Sequence, residues 1–335
     1  MHKICQFALA VSLSISSLYL YAVESVTIED ALPILVPESQ HITATKRVTA
    51  QFTRAHYKKI TIDDALSVQI FDHYIKHLDF SRLVFLASDI ETFTVHKNKF
   101  DTVISQGDLD IAYDIYNINL ERRLQRYEYA LNLLSSKGDE TPFDYSKKDI
   151  YNFDREDAPW ATTTAELDEL WYLKVKYDVV NLTLAGKKWS KTQEVLTKRY
   201  KYAVKRLKQT SSEDVFQLLM NSFARVVEPH TSYLSPRNAE RFQMEMNLSL
   251  EGIGAVLKSE DDYTVIISIV PGGPADKSKS LKGKDRIVGV AQGKKEFVDV
   301  IGWRLGDVVE LIKGSKGTEV RLQILTSTTD DENVK

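Results

Sequence analysis

Apolar residues recur with a helical period over most of residues 45–246. The segment 61–64 resembles a capping box and precedes a predicted helix that reaches Leu78. Further helical patterns run from Ser88 to about Gly107 and over 109–136, 164–185, 191–209, 211–227 and 237–246. We therefore predict an all-helical domain over 45–246, with a connector at 139–163 and an extended lead-in at 23–44.

The helix predicted at 109–136 has the clearest two-sided pattern. One side carries, at helical spacing, Ala112, Ile115, Asn119, Leu124, Tyr127, Leu131 and Leu134. The other side carries the charged residues Glu121, Arg122, Arg123 and Arg126. Gly138 is expected to end this helix.

At Leu248 the apolar period changes to two residues, which is the period of a strand, and glycine becomes frequent. Strands are predicted near 248–257, 263–269, 286–290, 296–300 and 319–325. A short helix is predicted from Ala275, and an amphipathic helix at 305–313. Residues 247–328 are thus predicted to form a small α+β domain, followed by a polar tail at 329–335.

The composition is that of an ordinary soluble protein, with 43% hydrophobic and 27% charged residues. The net charge of −3 gives no reason to expect nucleic acid as a partner. The length of 335 residues allows two domains, each with a core of its own.

The N-terminus departs from this composition. A short basic start is followed by an uncharged segment from Ile4 to Ala22, which predicts a cleaved signal peptide at 1–22. An uncleaved membrane anchor is the alternative. Cleavage would remove Cys5, the only cysteine, so we expect a periplasmic protein with no disulfide, no cysteine nucleophile and no stable membrane insertion.

Two patterns carry candidate chemistry. Gly252 and Gly254 flank Ile253, a spacing that lets backbone N–H groups turn inward together and receive a carboxylate. His73 and His77 stand at i and i+4 on a predicted helix, but we expect a packing or surface role for them, and we predict no metal or cofactor site.

The order of elements after Leu248 resembles that of a PDZ domain of the circularly permuted bacterial type, in which the carboxylate-binding loop opens the domain. The resemblance rests on the segments LEGIG at 250–254, GGPA at 272–275, DRIVGV at 285–290, VDVIGWRL at 298–305 and KGSKGT at 313–318. In one departure, a lysine separates Gly283 from Asp285, where the family has adjacent glycine and aspartate.

The resemblance extends upstream of this domain. The segments EPHTSYLSP at 228–236 and IKHLDFSRLVFLASDI at 75–90 are similar to those of the tail-specific (C-terminal processing) proteases of Gram-negative bacteria, a peptidase S41-like family. Glu228 replaces the aspartate that the family usually has before Pro-His, and the change keeps the charge.

The resemblance implies the activity of a serine endopeptidase with a Ser/Lys dyad in a domain that follows the PDZ domain. No position in this sequence matches that dyad, so no catalytic residue is assigned and the chain is expected to bind without cleaving. The substrate-recognition part of such a protease is the leading hypothesis. A non-catalytic PDZ adaptor and a truncated gene fragment are the alternatives.

The PDZ resemblance also implies the binding mode. The C-terminal carboxylate of a partner protein is expected at the amides of Gly252, Ile253 and Gly254, and its last residues are expected to pair with the following strand. Expected partners are the C-terminal tails of periplasmic or misfolded proteins, with a protein adaptor as a further candidate. The predicted peptide-binding residues are Leu250, Gly252, Ile253, Gly254, Ala255, Val256, Leu305, Val308, Val309 and Ile312. Only some of the last four can face the groove, and those that do make apolar tails the expected ligands.

Overall fold

The computed structural model describes residues 31–135, 141–246, 252–314 and 317–326. The predicted signal peptide, Gly138, Leu250 and the polar tail at 329–335 lie outside these residues. Within them, no helix is both long enough and apolar enough to cross a membrane.

The N-terminal part is helical, as the sequence predicts. Its α-helices are α1 Ser39–Arg54, α2 Asp64–Leu78, α3 Ala87–Thr94, α4 Phe100–Gln106, α5 Asp110–Leu134, α6 Thr164–Leu184, α7 Trp189–Lys208, α8 Ser212–Val227 and α9 Pro236–Met246. Helix α2 begins after Asp63, whose carboxylate accepts a hydrogen bond from the amide of Leu66. Helix α8 begins in the same way, because the Ser211 hydroxyl accepts from the amide of Asp214.

Helix α1 begins earlier than predicted, inside the segment expected to be an extended lead-in. The reason is His41, which is 1% exposed and stacks on Phe216 with ring centroids 4.5 Å apart. Its Nδ1 accepts from the amide of Glu38 at 3.1 Å, and its Nε2 lies 3.0 Å from a carboxylate oxygen of Glu213. A polar residue therefore fixes the first turn through tertiary contacts, which an apolar periodicity does not reveal.

The prediction of one continuous helix from Ser88 to Gly107 is wrong. The segment is divided into α3, a 3₁₀ turn at Lys97–Lys99 and α4. Asp89, and not Ser88, closes the start of α3, because its carboxylate accepts from the amide of Leu86 at 3.0 Å. Gly107 does end α4, with φ at 75°.

Asp79 holds the turn that leads from α2 to α3. Its carboxylate is buried and accepts hydrogen bonds from three consecutive amides at 2.8–3.2 Å, and from the indole N–H of Trp160 at 3.2 Å. The three amides belong to Leu83, Val84 and Phe85. The backbone amides of this turn are therefore hydrogen-bonded within the protein, which allows the turn to lie in the core of the helical domain.

Helix α5 contributes to both apolar cores of the helical domain. One core joins α5 with α1, α2, α4 and α8, and the other joins it with α6 and α7. Arg126, grouped with the polar side in the sequence, is instead buried and paired with Asp168 of α6. A buried cation of this kind needs a partner, which only the packing of two helices supplies.

The C-terminal part is a small α+β domain built on an antiparallel sheet. Its elements are β1 Ala255–Glu260, β2 Tyr263–Ile269, α10 Pro274–Ser278, β3 Arg286–Gln292, β4 Val298–Asp299, α11 Leu305–Ile312 and β5 Val320–Leu325. The strand order is β1-β2-β3-β4, and β5 pairs with β3. β1 is thus an edge strand among the described strands, with a register shift between Val256 and Leu257.

The turn between β1 and β2 contacts helix α7 of the helical domain. Asp261 is paired with Lys198 and accepts a hydrogen bond from the Tyr202 hydroxyl at 2.9 Å. Asp262 is paired with Lys205, which lies two helical turns after Lys198 on α7. These ion pairs connect the two domains near the C-terminal end of β1.

Two further ion pairs join the domains near the start of α11. Arg304 lies 2.8 Å from Asp214 of α8, and Arg237 of α9 lies 2.7 Å from Asp307. Both arginine–carboxylate pairs are partly exposed. The α11 helix therefore has contacts with both domains.

Candidate functional site

The loop before β1 combines two glycines of positive φ with three backbone amides that have no described acceptor. Gly254 has a φ of 73° and Gly252 a φ of 153°, both of which favour glycine. The carbonyls of Ile253 and Gly254 accept hydrogen bonds from the amides of Ala275 and Val270, each at 2.8 Å. Within the described residues, the amides of Gly252, Ile253 and Gly254 donate no hydrogen bond.

A second glycine turn supports this loop by direct backbone packing. A Cβ at Gly254 would lie 3.1 Å from the Cα of Gly273, and one at Gly273 would lie 3.2 Å from the Cα of Gly254. The amide of Gly272 donates to Asp276 at 2.9 Å. A hydrogen bond from Lys279 and then this amide lower the pKa of Asp276, so its charge stabilises the turn.

β1 continues from this loop and has one edge that pairs with β2. Its other edge is unpaired among the described strands, so its N–H and C=O groups are available to a further strand. Ala255 and Leu257 pack against the core of the domain, whereas Val256 is 46% exposed. Successive side chains of the strand therefore alternate between the core and the exposed face of the sheet, as expected for a strand.

Helix α11 contacts β1. The four aliphatic residues of α11 that are predicted to bind the peptide lie on two different faces of this helix. Val308 is 0% exposed and Ile312 is 5% exposed, because both belong to the core of the domain. Leu305 and Val309 are partly exposed at i and i+4. The side chains of Val308 and Ile312 are therefore enclosed in the core and have no surface to offer to a groove. Leu305 and Val309 keep exposed surface and remain predicted peptide-binding residues.

The structure thus places the predicted residues of 252–256 in the loop and the edge strand, and Leu305 and Val309 on α11, a helix that contacts β1. Leu250 lies outside the described residues. The sequence reasoning missed the groups that hold the loop in place, namely Val270, Gly273 and Ala275. The glycine pair before Pro274 indicates a turn in the sequence, but it does not indicate which backbone the turn contacts.

His73 and His77 are placed as a packing pair, with ring centroids 5.5 Å apart. Burial is the main cause that lowers the pKa of both, and Nδ1 of His77 lies 3.4 Å from the Ser222 hydroxyl. Among the described residues there is no cluster of three or more histidine, cysteine, aspartate or glutamate side chains that could hold a metal ion.

Glu228, at the start of the segment that resembles the protease family, has a structural partner. It lies 2.8 Å from Lys58 and also accepts a hydrogen bond from the Tyr57 hydroxyl. The hydrogen bond from Lys58, followed by that from Tyr57, lowers the pKa of Glu228 to about 2. The carboxylate joins the end of α8 to the segment between α1 and α2.

Comparisons with known proteins agree with this arrangement. A family model described as the tail specific protease N-terminal domain matches residues 48–237, and a PDZ domain model matches residues 241–325. A tail-specific protease of Haemophilus influenzae is 50% identical over 295 residues, which are 88% of this chain and 41% of that protein.

Two further relatives match a smaller part of the chain. The carboxy-terminal processing protease CtpA of Bacillus subtilis is 35% identical over 97 residues, which are 29% of this chain and 20% of that protein. A crystal structure of the PDZ domain of a carboxy-terminal protease from Vibrio cholerae, in complex with a peptide, is 56% identical. The match covers 26% of this chain and 89% of the Vibrio cholerae chain, with a TM-score of 0.25.

The chain spans 41% of the length of the Haemophilus relative. The match to the N-terminal domain model covers more than half of the chain, and the PDZ match covers most of the remainder. The chain belongs to the tail-specific protease family.

Proposed function

We propose that this chain is the substrate-recognition part of a tail-specific protease and binds the C-terminal tails of other proteins in the groove between β1 and α11. The observation that carries the proposal is the pairing of two features: the amides of 252–254 donate to no described group, and they stand at the start of an unpaired strand edge. A C-terminal carboxylate followed by an extended chain satisfies both features.

The carboxylate would accept hydrogen bonds from the amides of Gly252, Ile253 and Gly254. These bonds are charge-assisted, and the loop carbonyls are already held by Val270 and Ala275, so little reorganisation is required on binding. The last residues of the tail would then add to β1 as an antiparallel strand.

Side-chain preference in this proposal comes from the aliphatic groups beside the strand. Leu305 and Val309 are partly exposed on the face of α11 that does not enter the core, and Val256 is exposed on β1. Apolar residues near the C-terminus of the tail would cover this surface and remove it from water.

The protease activity is proposed from the relatives, which are named as proteases. In this proposal the groove delivers an unstructured tail to a serine-type site of the Ser/Lys class. The resemblance to Gram-negative tail-specific proteases supports a periplasmic location after export. Poorly folded periplasmic proteins, whose tails are unstructured, are the proposed substrates, and a protein adaptor is a further proposed partner.

The test is a binding titration with fluorescent peptides whose last four residues are aliphatic. We expect saturable binding of the free acid and a loss of about tenfold or more in affinity for the matching C-terminal amide, since the amide removes the charge on the hydrogen-bond acceptor. Equal affinity for the acid and the amide, or no binding of either, would contradict the proposal.

A further inference from the structure

A cleft of about 430 Å³ lies between the helical domain and the PDZ domain. The helical domain contributes residues of α7 and α8 to its walls, and the PDZ domain contributes residues from both sides of the groove. The lining residues are Tyr202, Lys205, Arg206, Gln209, Asp214, Ser259, Asp261, Trp303, Arg304 and Leu305. Neither domain alone forms this cleft.

The cleft continues the groove at the end opposite the carboxylate loop. Ser259 lies near the end of β1, and Leu305 is the first residue of α11, so both walls of the groove lead into the cleft. A tail that pairs antiparallel with β1 advances about 3.4 Å per residue. With its C-terminal residue opposite Ala255, about the fifth residue from its end lies opposite Ser259.

An exposed aromatic side chain is available on the PDZ wall of the cleft. Trp303 is 43% exposed, although an indole of this size is usually covered. Its backbone is fixed, because its amide donates to the carbonyl of Val300 at 3.2 Å and the neighbouring Gly302 carbonyl accepts from the Gln209 side chain at 2.6 Å. The indole thus offers a positioned apolar surface.

Among the described residues, the charges that line the cleft are paired except for one arginine. Asp214 is paired with Arg304, and Asp261 is paired with Lys198 and hydrogen-bonded to Tyr202. Lys205 is paired with Asp262.

Arg206 is a residue of α7 that lies one helical turn after Tyr202. Its side chain is exposed, and within the described part of the chain it has no carboxylate partner. The cleft therefore presents one uncompensated positive charge beside an apolar surface.

We propose that this cleft is a second subsite for the same tail, which receives the residues about five to seven positions from its C-terminus and favours an acidic side chain there. The inference rests on the proposed function, because the tail must first occupy the groove. The acidic side chain would pair with Arg206, and the tail backbone would pass over Trp303. Substrate choice is then shared between the apolar C-terminus and a charged upstream position.

The test uses the whole chain and four peptides with the same aliphatic last four residues. One peptide ends there, and the other three continue upstream with six residues that are acidic, basic, or glycine and serine. We expect the acidic peptide to bind about three- to fivefold more tightly than the glycine–serine peptide, which is the upper part of the range for an exposed ion pair. The basic peptide is expected to bind more weakly than the neutral one.

Arg206→Glu is the decisive variant, because it should reverse the order of the acidic and basic peptides without changing affinity for the four-residue peptide. Lys188→Glu makes the same charge change at the N-cap of α7, 18 residues earlier and about 27 Å away along the helix axis, and should leave the order unchanged. Trp303→Ala should weaken the three long peptides about fivefold and spare the short one.

The outcomes separate this inference from the proposed function. If the short peptide binds and the three long peptides have the same affinity for the protein as the short one, the groove is supported and the second subsite is wrong. If both charge variants alter the peptide order alike, the preference is a long-range effect of net charge and the subsite is also wrong. If the short and long peptides all fail to bind, the proposed function itself fails.

Discussion

At the scale of the residue, the candidate site depends on two glycines that pack backbone against backbone. Gly254 needs a left-handed φ of 73°, and its Cα faces Gly273 with no room for a side chain. The spacing of Gly252 and Gly254 predicted an amide loop from the sequence alone. The role of Gly273 could not be predicted in this way, because the close contact forms between residues that lie far apart along the chain.

Gly254→Ala is expected to abolish tail binding. The added Cβ would meet the Cα of Gly273 at 3.1 Å in a conformation that already disfavours alanine, so the loop must shift and its amides lose their alignment. We expect affinity for an aliphatic free-acid peptide to fall about tenfold or more in a fluorescence titration.

Gly272→Ala is the matched control for this variant. It has a similar φ of 77° and belongs to the same domain, but its Cβ would have no neighbour within 4 Å. It should lower the free energy of unfolding by about 1 kcal/mol and keep peptide affinity. Unchanged affinity in Gly254→Ala, or an equal loss in both variants, would contradict the role given to the loop.

At the scale of the element, α11 shows what an amphipathic pattern leaves open. The sequence predicts the helix at 305–313, and the structure places it at Leu305–Ile312. The pattern did not show which aliphatic residues face the core, because valine, leucine and isoleucine occupy most of its positions. Packing against the sheet assigns Val308 and Ile312 to the core and leaves Leu305 and Val309 beside β1.

Adjacent valines of α11 are expected to respond differently to the same truncation. Val308→Ala opens a cavity at a fully buried position and should lower the free energy of unfolding by about 1–3 kcal/mol. Val309→Ala should change stability by less than about 1 kcal/mol and weaken the aliphatic peptide about threefold through lost apolar contact. Chemical denaturation and peptide titration on both variants measure the two effects, and the assignment of faces is wrong if Val308→Ala weakens binding while remaining stable.

At the scale of the whole molecule, acidic residues of the PDZ domain join it to the helical domain. Asp261 and Asp262 stand in a turn of two residues and meet the lysines of α7. The hydrogen bond from Lys198, followed by that from Tyr202, lowers the pKa of Asp261. The folded-state pKa is thus below that of the unfolded chain, so this pairing contributes at neutral pH and is lost as pH falls below about 4.

Removing both charges should loosen the contact between the domains. In Asp261→Asn/Asp262→Asn we expect a larger radius of gyration in small-angle X-ray scattering at neutral pH and low salt. Asp154→Asn/Asp157→Asn removes two exposed charges from the connector between α5 and α6 and should not change the scattering. An unchanged radius of gyration in the first variant would show that these ion pairs do not hold the domains together.

The sequence by itself determined most of the order and type of the elements, the division into a helical and an α+β domain, and the glycine loop. These features follow from local periods, caps and turns, which act between residues close in the chain. Tertiary structure decided the early start of α1, the burial of Arg126, the face of α11 and the cleft beside Arg206. Each of these depends on a partner from a distant segment, such as Glu213 for His41 or Asp168 for Arg126. Such partners meet only after the chain has folded, so no local pattern of apolar and polar residues specifies them.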